Sequence, residues 1–593
     1  NRTEYTYNAR RQVLTVKDPR GHFATNVYDT KGNLTSSKMS ATLGGPALTE
    51  TTYTYDAKGN LKTQTAVVDG VPQTTTYSYD TSGNLTEERN ALDQATTYAY
   101  DANGNRTRET RFRLVSTGEL EPLDTLYEYD ANGRLLKTID PDLTFTRSVY
   151  DPLGRQIESY DKRGHQTTSE YDEMGRMIRT TYADLTFEAS TYDDEGRRLT
   201  FRDRRAKVTT YEYDDVGRLK KTTFPDTNFT ENTYDAAGRL TAVRDARGKT
   251  TTYEYDRSGR RTKVTVPLTT GVSAETVFTY DANGNQLTVR DPLLRTTTFE
   301  YDELNRRTKT IFPDTPSTYT ETTYDTLGRR KTERDQAGRV TTFGYDELGR
   351  LASVTDARGQ VTSHAYDELG NRVAQYDANS HATTFEYDVL GREIKRRLPA
   401  PGPADPPFET KAYDDAGNLE SRTDFAGRVT SYTYDVMNRL LARTVQCATP
   451  PCVGGADAGF TYTPSGRRET VTDSRGVTAY TYDDRDRLQS LTYPDGRQLA
   501  YLYDGNGNRT TLTATIPAVG GGSPTVLTTT YTHDDANRLD LVTDTVGRVY
   551  DHGYDPNGNR TSLSQPNGTL TSYVHNTLNR LTNLTTTHPG SGV

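Results

Sequence analysis

A single short pattern recurs along almost the whole chain and limits what the chain can fold into. Tyr345-Asp346 recurs as Tyr366-Asp367 and again, at the same interval, as Tyr387-Asp388. The Tyr position occurs 26 times, and 16 of the 25 spacings equal the one between Tyr345 and Tyr366. Repetition at this period indicates tandem structural units that pack mainly on their neighbours. A chain of 593 residues can therefore fold without one large core.

The residues after each Tyr predict a tight turn. Asp at the first position and Gly at the fourth are favoured in type I turns. A type I turn followed by one left-handed residue is a common hairpin connection. The Gly position holds Gly in 20 of the 26 copies, and the first copy has Arg11 there. The other five exceptions are the residue types that best tolerate the left-handed conformation besides Gly, namely Asn305, Asn438, Asp486, Asn537 and Asn579.

The residues before each turn predict a strand. Thr341, Phe343 and Tyr345 alternate with Val340 and Thr342, as on a pleated surface. An aromatic residue stands two before the Tyr in 17 copies, and Arg (16 copies) or Asn (9 copies) follows the Gly position. Each copy is thus predicted to be one β-hairpin, with stacked rings and Arg–Asp pairs between adjacent hairpins. The structural turn residues of two typical copies are Tyr345, Asp346, Gly349, Arg350, Tyr366, Asp367 and Gly370.

The repeat array is predicted to span residues 1–587, with a short tail at 588–593. Inserts enter near residues 41–48, 112–123, 399–408, 445–459 and 515–525. The regular spacing resumes after each, so we interpret them as surface excursions and not as domain boundaries. In the uninterrupted part, spacers such as Asp161 to Gly164 alternate with spacers such as Asp142 to Phe145, which recur at twice the repeat period. This alternation predicts that neighbouring hairpins are not equivalent.

Composition excludes several classes of protein. The hydrophobic fraction of 32% alone would favour disorder, but the net charge is only −9 and there are 42 Tyr and 15 Phe. The sequence holds no run of 18 apolar residues, so it predicts no transmembrane helix. Interspersed charge without a basic stripe argues against nucleic acid as a partner. The chain begins at Asn1 in mid-repeat, which we interpret as a fragment of a longer protein.

The residues that could carry chemistry favour structural roles. Cys447 and Cys452 are the only cysteines, and their spacing favours a small disulfide, with free thiols and a metal site as the alternatives. Turns of the form Asp-x-Asn-Gly-Asn, at 101–105, 281–285, 504–508 and 555–559, share oxygen-rich spacing with calcium loops. The turn explanation covers all copies, whereas calcium would explain only four. The sequence has no hydrolase, phosphate-loop or dinucleotide motif, so we expect neither an enzyme nor a cofactor.

The pattern Tyr-Asp-x-x-Gly-Arg-Leu, preceded by Gly338-Arg-Val-Thr341, resembles the YD repeat of the RHS family. That family includes bacterial polymorphic toxins, the C component of insecticidal toxin complexes, and the teneurins. The resemblance implies an all-β fold of tandem hairpins side by side in a long spiralling ribbon, which forms part of a hollow shell. No N-terminal adaptor, family core or toxin domain is recognised in this sequence.

The resemblance also implies a role. We expect a non-enzymatic wall segment of a secreted or surface-exposed bacterial protein, which encapsulates or presents a C-terminal effector domain of the same polypeptide. The alternative is a teneurin-like adhesion or carbohydrate-binding protein whose partner is a cell-surface glycan or protein. At ~4.8 Å per strand, about 52 strands make a ribbon of roughly 250 Å, or one circle about 80 Å across. This length predicts one to two turns of wall.

Overall fold

The computed structural model describes residues 2–399, 407–446, 457–518 and 522–589. Throughout these ranges the regular elements are β-strands, and 52 of them join into one antiparallel sheet. The prediction of an all-β fold built from one hairpin per copy is confirmed.

The odd-numbered strands all end at the Tyr position of a repeat, or at the His that replaces it. They are β1 (Glu4–Tyr7), β3 (Phe23–Tyr28), β5 (Thr49–Tyr55), β7 (Val71–Tyr79), β9 (Ala95–Tyr100), β11 (Leu120–Tyr129), β13 (Phe145–Tyr150), β15 (Gln166–Tyr171), β17 (Phe187–Tyr192), β19 (Val208–Tyr213), β21 (Phe229–Tyr234), β23 (Thr250–Tyr255), β25 (Val272–Tyr280), β27 (Thr296–Tyr301), β29 (Tyr319–Tyr324), β31 (Val340–Tyr345), β33 (Val361–Tyr366), β35 (Ala382–Tyr387), β37 (Phe408–Tyr413), β39 (Val429–Tyr434), β41 (Ala458–Tyr462), β43 (Gly476–Tyr482), β45 (Gln498–Tyr503), β47 (Thr525–His533), β49 (Val549–Tyr554) and β51 (Leu570–His575).

The even-numbered strands all begin two residues after the Gly position of the turn. They are β2 (Val13–Lys17), β4 (Leu34–Ser40), β6 (Leu61–Val68), β8 (Leu85–Arg89), β10 (Arg106–Leu114), β12 (Leu135–Ile139), β14 (Gln156–Tyr160), β16 (Met177–Thr181), β18 (Arg198–Arg202), β20 (Leu219–Thr223), β22 (Leu240–Arg244), β24 (Arg261–Thr269), β26 (Gln286–Arg290), β28 (Arg307–Ile311), β30 (Arg330–Arg334), β32 (Leu351–Thr355), β34 (Arg372–Tyr376), β36 (Glu393–Arg397), β38 (Leu419–Thr423), β40 (Leu440–Gln446), β42 (Arg468–Asp473), β44 (Leu488–Thr492), β46 (Arg509–Ile516), β48 (Leu539–Thr543), β50 (Arg560–Ser564) and β52 (Leu581–Thr587).

The ribbon is a continuous meander. Each strand pairs antiparallel with the strand before it and the strand after it, from β1–β2 to β51–β52. The turns that follow odd-numbered strands carry the Tyr-Asp pattern and lie along one edge of the ribbon, which we call the YD edge. The turns that follow even-numbered strands lie along the opposite edge, the spacer edge.

The backbone of the YD turn follows from its sequence. The amide of Gly349 donates to the carbonyl of Asp346 (3.0 Å), and the amide of Asp346 donates to the carbonyl of Arg350 (3.0 Å). Gly349 has a φ of 80°, and the register of the hairpin shifts between Gly344 and Tyr345. The same left-handed conformation occurs at the non-Gly copies, with φ between 58° and 65°. They are Arg11, Asn305, Asn438, Asp486, Asn537 and Asn579.

Many spacer turns use the same backbone, but in the second kind of spacer the sequence pattern does not reveal where the turn begins. In the spacer that follows β12, the amide of Leu143 donates to the carbonyl of Asp140, and Leu143 has a φ of 66°. The turn therefore begins at Asp140 and not at Asp142, where the pattern had suggested its start. Leu143 occupies the left-handed position, so this turn has no glycine to mark it in the sequence.

The sheet is a single layer with little fully buried apolar surface. Its buried hydrophobic residues number six in the described ranges: Val68, Leu123, Leu268, Ala274, Ala374 and Phe385. Four of them lie in hairpins with extended strands: Val68 in β6, Leu123 in β11, Leu268 in β24 and Ala274 in β25. Most of the inserts near 399–408 and 445–459 lies outside the described residues, as do Cys447 and Cys452. The disulfide therefore stays a prediction.

Candidate functional site

The predicted turn residues form a tight local cluster. The Asp346 carboxylate accepts hydrogen bonds from the amides of Leu348 (3.0 Å) and Arg350 (2.9 Å). Its second oxygen accepts from Nε of Arg350 at 2.6 Å. In the next copy, Asp367 accepts in the same way from the backbone of Leu369 and Asn371. The Asp side chain thus organises the turn, and the residue after the Gly position holds the Asp in place.

Arg350 also links its hairpin to the next one. Its Nη1 donates to the carbonyl of Asp367 (3.1 Å), and its guanidinium lies 4.6 Å from the ring centroid of Tyr366. The Tyr366 hydroxyl in turn donates to the carbonyl of Leu351 (2.9 Å). The same three contacts join many other consecutive copies, as at Arg134 with Tyr150 and Arg239 with Tyr255.

The predicted contacts between hairpins are partly wrong. The Arg–Asp ion pair lies within one turn, not between two hairpins. Each Arg instead lies over the Tyr ring of the following copy. A cation over a ring is attracted by the negative face of that ring.

Some turn carboxyls, such as that of Asp235, are held in their charged form. The pKa of the Asp235 carboxyl lies below its ordinary value because the backbone amide of Arg239 donates to it (2.9 Å). The guanidinium of Arg239, with Nε at 2.7 Å, lowers the same pKa further. Hydrogen bonds to an ionised carboxylate favour ionisation, so the turns are most stable above the range in which Asp is protonated.

Residues roughly half the chain apart meet where the spacer edge contacts the YD edge. Arg163, in the spacer turn after β14, donates from Nη1 to the carbonyl of Asp435 (3.1 Å) and from Nη2 to the carbonyl of Tyr434 (3.4 Å). Four further spacer arginines bond to carbonyls of distant YD turns in this way: Arg20, Arg205, Arg247 and Arg295. We call this line of contacts the seam.

The second kind of spacer makes the opposite contact. Asp142, Asp184 and Asp226 face the arginines of distant YD turns. Their carboxylates lie 3.8, 3.5 and 3.3 Å from the guanidinium nitrogens of Arg392, Arg439 and Arg487, respectively. Spacers that present a cation therefore alternate with spacers that present an anion. This difference explains why the spacer sequence alternates at twice the repeat period.

Lysine–aspartate ion pairs and long hairpins complete the seam. Nζ lies within 2.8 Å of an Asp oxygen in three pairs that cross it: Lys207–Asp484, Lys249–Asp535 and Lys331–Asp69. The amide of Asp535 also donates to the carbonyl of Leu268 in the long hairpin β24–β25 (3.1 Å).

The seam fixes the number of strands in one winding of the spiral. Asp18 and Arg20 lie in the turn after β2, and they bond to Asn283 and Asn305. Those partners lie in the turns after β25 and β27, so the chain returns to the same angular position after 24 strands. At ~4.8 Å per strand this gives a circumference of ~115 Å and a diameter of ~37 Å. The 52 strands complete just over two windings, which is narrower and longer than the single circle estimated from the sequence.

A charged cleft lies where the hairpin β10–β11 meets the second winding. Its volume is about 630 Å³, and its lining includes Glu87, Glu109, Arg111 and Glu368. Glu109 pairs with Arg111 (3.2 Å). The carboxylate of Glu368 accepts from the amide of Leu114 (3.1 Å). The contact between Glu368 and Leu114 holds the hairpin against the second winding.

The Asp-x-Asn-Gly-Asn turns use their side chains for contacts within the protein. In the turn at 281–285, the Asp281 carboxylate accepts from the amide and the side chain of Asn285 (2.8 Å each). Asn283 donates across the seam to Asp18 (2.7 Å). Among the described residues, no group of three His, Cys, Asp or Glu is arranged to hold a metal ion. The same part of the chain contains no helix long and apolar enough to cross a bilayer.

Sequence reasoning missed the seam residues, although one signal was present. Every Asn or Asp at the Gly position follows residue 300. An unequal distribution of this kind between two halves of a repeat array indicates that the halves have different neighbours. The sequence alone does not say that those neighbours are each other.

Two family models match this chain. The model described as RHS Repeat matches residues 192–228, 234–270, 280–317, 324–361, 366–400, 413–445, 462–498, 482–515 and 554–592. Together these segments cover more than half of the 593 residues. The model described as Teneurin YD-shell matches residues 4–179. A comparison with curated proteins found no match.

Solved structures share the fold over nearly the whole chain. The structure of the Photorhabdus luminescens Tc holotoxin pore with a mutation in TccC3 has 15% identity and a TM-score of 0.73, covering 99% of this chain and 40% of that one. TcdB2-TccC3-TEV has 14% identity and a TM-score of 0.56, covering 97% and 43%. TcdB2-TccC3 without its hypervariable C-terminal region has 14% identity and a TM-score of 0.51, covering 98% and 34%. At these identities the likeness establishes the fold alone, and this chain spans less than half the length of each.

Proposed function

The chain belongs to the RHS-repeat family, and from this membership we propose that it is a non-enzymatic wall segment of a hollow shell that encloses or presents an effector. The effector would be carried C-terminal to this segment in the same polypeptide. The observation that carries the proposal is the seam, because it joins the edges of successive windings and so makes a wall out of an open ribbon.

A wall of this kind suits containment on physical grounds. In the seam the turns of one winding fill the gap beside the turns of the next, through hydrogen bonds and ion pairs. The interior is then separated from solvent by a single layer of sheet.

The proposal that an effector follows this segment is supported by its relatives. One of the structures with the same fold is described as lacking a hypervariable C-terminal region, so that protein has a variable segment after its shell. We propose the same order here, in a secreted or surface-exposed bacterial protein. The repeat residues are occupied by turn and seam contacts, which supports a scaffold and not a catalyst.

The test is to isolate the native polypeptide from its source and determine its intact mass and both terminal sequences, then to treat it with protease. We expect an additional segment after Val593 that resists protease while the shell is intact and is degraded after the shell is unfolded. A native polypeptide that ends near Val593, or a downstream segment that is degraded as fast as the isolated peptide, would contradict the proposal.

The match to the Teneurin YD-shell model over residues 4–179 favours a second candidate, an adhesion or carbohydrate-binding protein. The ligand would then bind to the outer surface of the wall. A glycan array and a cell-binding assay with the folded chain would test this function. Saturable binding that survives removal of any downstream segment would favour adhesion over containment, and no binding would leave containment as the better account.

A further inference from the structure

The asparagines that replace glycine at the YD turns coincide with the spacer arginines of the seam. Each of the five Asn or Asp residues at the left-handed position lies beside one spacer arginine of the preceding winding. The nitrogen–oxygen distances are 3.1, 3.0, 3.4, 3.0 and 2.6 Å, in the pairs Arg20–Asn305, Arg163–Asn438, Arg205–Asp486, Arg247–Asn537 and Arg295–Asn579.

One of these sites shows what the side chain adds. The Oδ1 of Asn305 accepts from three donors: Nη1 of Arg20 (3.1 Å), Nδ2 of Asn283 (2.8 Å) and Nδ2 of Asn285 (2.7 Å). Asn283 also donates to the Asp18 carboxylate at 2.7 Å. Glycine at position 305 would keep the backbone of the turn but would leave all three donors without this acceptor.

The same arrangement recurs at two other sites. The Oδ1 of Asn537 accepts from Arg247, Asn506 and Asn508, and Asn506 also donates to Asp245. The Oδ1 of Asn579 accepts from Arg295, Asn557 and Asn559, and Asn557 also donates to Asp291. At the remaining two sites, side chains of the preceding copy also join the pair: Asn418 at Asn438, and Ser465 and Arg467 at Asp486.

Turn stability does not account for this distribution. Glycine adopts the left-handed conformation at the lowest cost, and the array uses it in 20 of 26 copies. The eleven copies that follow the first, from Gly32 to Gly259, all have Gly at this position. Those turns lie on the YD edge of the first winding, where no earlier winding of this chain contacts them. Asn and Asp occur only where a spacer arginine faces the turn.

We propose that these five sites are a register lock, which specifies that the ribbon returns on itself after 24 strands. The locking spacers follow β2, β14, β18, β22 and β26, so consecutive ones are separated by four strands or by a multiple of four. The spacers after β6 and β10 fall on the same series, and there the long hairpins reach across the seam instead, through Asp69 and Arg113.

A shift of the windings would break the lock. If the second winding moved by one hairpin, Arg163 would lose the oxygen of Asn438 and would face Gly466. The arginine and asparagine donors that bond to these side chains would lose that acceptor, and glycine would offer no replacement, so the shifted register would have fewer hydrogen bonds across the seam. Register in a β-sheet is strongly specified only where a shift has such a cost.

The lock can be tested with two turns of identical sequence. Asp245-Ala-Arg-Gly248 lies in the seam, where the side chain of Arg247 is 19% exposed. Asp356-Ala-Arg-Gly359 lies on the free spacer edge of the second winding, and all its residues are exposed. The measurement is the rate of tryptic cleavage after Arg247 relative to the rate after Arg358, in the full chain. The variant is the triple substitution Asn305→Gly, Asn537→Gly and Asn579→Gly.

The lock predicts that cleavage after Arg247 is slower than after Arg358 in the parent chain. In the triple variant the relative rate after Arg247 should rise about ten-fold, because the seam opens locally. A relative rate that is unchanged or lower would overturn the proposal, since glycine satisfies the turn at least as well as asparagine. Normalising to Arg358 separates opening of the seam from general unfolding.

Two further variants serve as controls. The triple substitution of the same residues by Asp keeps the acceptor oxygen and adds a charge that attracts the arginines, so protection of Arg247 should be retained or increased. Gly217→Asn places asparagine at the equivalent position of the free YD edge, and the relative rate should not change. Loss of protection with Asp, or a change with Gly217→Asn, would contradict the lock.

Discussion

At the scale of the residue, the left-handed position of each turn has two separable functions. It closes the hairpin, for which glycine suffices, and in the second winding it can also present a side-chain oxygen to the seam. The Asp and Arg of the pattern likewise act both within the turn and beyond it. Arg350 bonds to Asp346 of its own turn and to the carbonyl of Asp367 in the next.

The closing function predicts a strong effect at Gly349. Its φ is 80°, and a Cβ there would lie 3.1 Å from Nη1 of Arg329. Gly349→Val forces a β-branched residue into the left-handed region and should cost about 1–3 kcal/mol. The measurement is the opening free energy of the amides of β31 and β32 by hydrogen exchange. Glu347→Ala in the same turn should have almost no effect, and equal effects would contradict the turn assignment.

The linking function predicts that lysine cannot replace Arg350. Arg350→Lys keeps the charge, but it loses the second nitrogen that bonds to Asp367 and weakens the contact with the Tyr366 ring. We expect a loss of about 1–2 kcal/mol in local stability, measured by hydrogen exchange of β33. Arg339→Lys is the matched control, since Arg339 pairs only with Asp335 of its own spacer turn and its side chain is 73% exposed. If both variants behave alike, the link between hairpins contributes little.

The half-buried imidazole of His533 predicts a dependence on pH. Partial burial lowers the pKa of His533 below its usual 6.5. The charges of Arg247 and Arg509 lower this pKa further, whereas those of Asp504 and Asp534 raise it. Because the folded pKa is below the unfolded one, the unfolded chain binds more protons as the pH falls through 6.5. The free energy of unfolding is therefore expected to decrease as the pH falls below that value.

The measurement is the melting temperature between pH 7.5 and 5.5, for the parent chain and for His533→Tyr, which restores the usual residue of the repeat. The melting temperature of the parent should fall more steeply with acidity than that of the variant. Equal slopes would show that His533 does not titrate with unfolding.

At the scale of the element, the sequence predicts the hairpins well and the spacers poorly. Strands end at the Tyr position because the Asp and Gly that follow it specify the turn. The sequence pattern predicts the start of the turn after β12 two residues too late. The left-handed residue of this turn is Leu143, and no glycine or asparagine marks its position. The Asn-rich turns resemble calcium loops in sequence, and the sequence does not show that their Asn side chains bond within the protein. Their partners Asp18, Asp245 and Asp291 are distant along the chain.

Close approach of elements across the seam predicts a specific role for Gly505. A Cβ at this position would lie 2.6 Å from the carbonyl oxygen of Ala246 and 2.8 Å from Oδ1 of Asn228. Gly505→Ala should therefore push the windings apart and cost about 1–3 kcal/mol. The measurement is the hydrogen-exchange protection of Asp535, whose amide bonds across the seam to Leu268.

The control for Gly505 is Ala102, which holds the same place in a YD turn of the first winding. Ala102→Val enlarges a side chain on the free edge and should leave the protection of Asp535 unchanged. A loss of protection in both variants, or in neither, would contradict the contact assigned to Gly505.

At the scale of the whole molecule, stability comes from contacts between hairpins and between windings, and not from a buried hydrophobic core. The sheet has one layer with few buried apolar residues, so the contacts of each hairpin with its neighbours and the seam must hold it. The repeat pattern predicts a ribbon and its length. It does not predict the number of strands per winding, since curvature depends on small twists at every strand and on pairs such as Arg163 and Asn438 that lie half the chain apart.

The account depends most on the claim that the ribbon closes on itself into stacked windings. Zero-length coupling of lysine to carboxylate in the purified chain, followed by mass spectrometry, tests this directly. The account predicts three crosslinks between residues about half the chain apart, Lys207–Asp484, Lys249–Asp535 and Lys331–Asp69, because each pair lies within 2.8 Å. Crosslinks confined to neighbouring hairpins, with none of these three, would mean an open ribbon and would contradict the account.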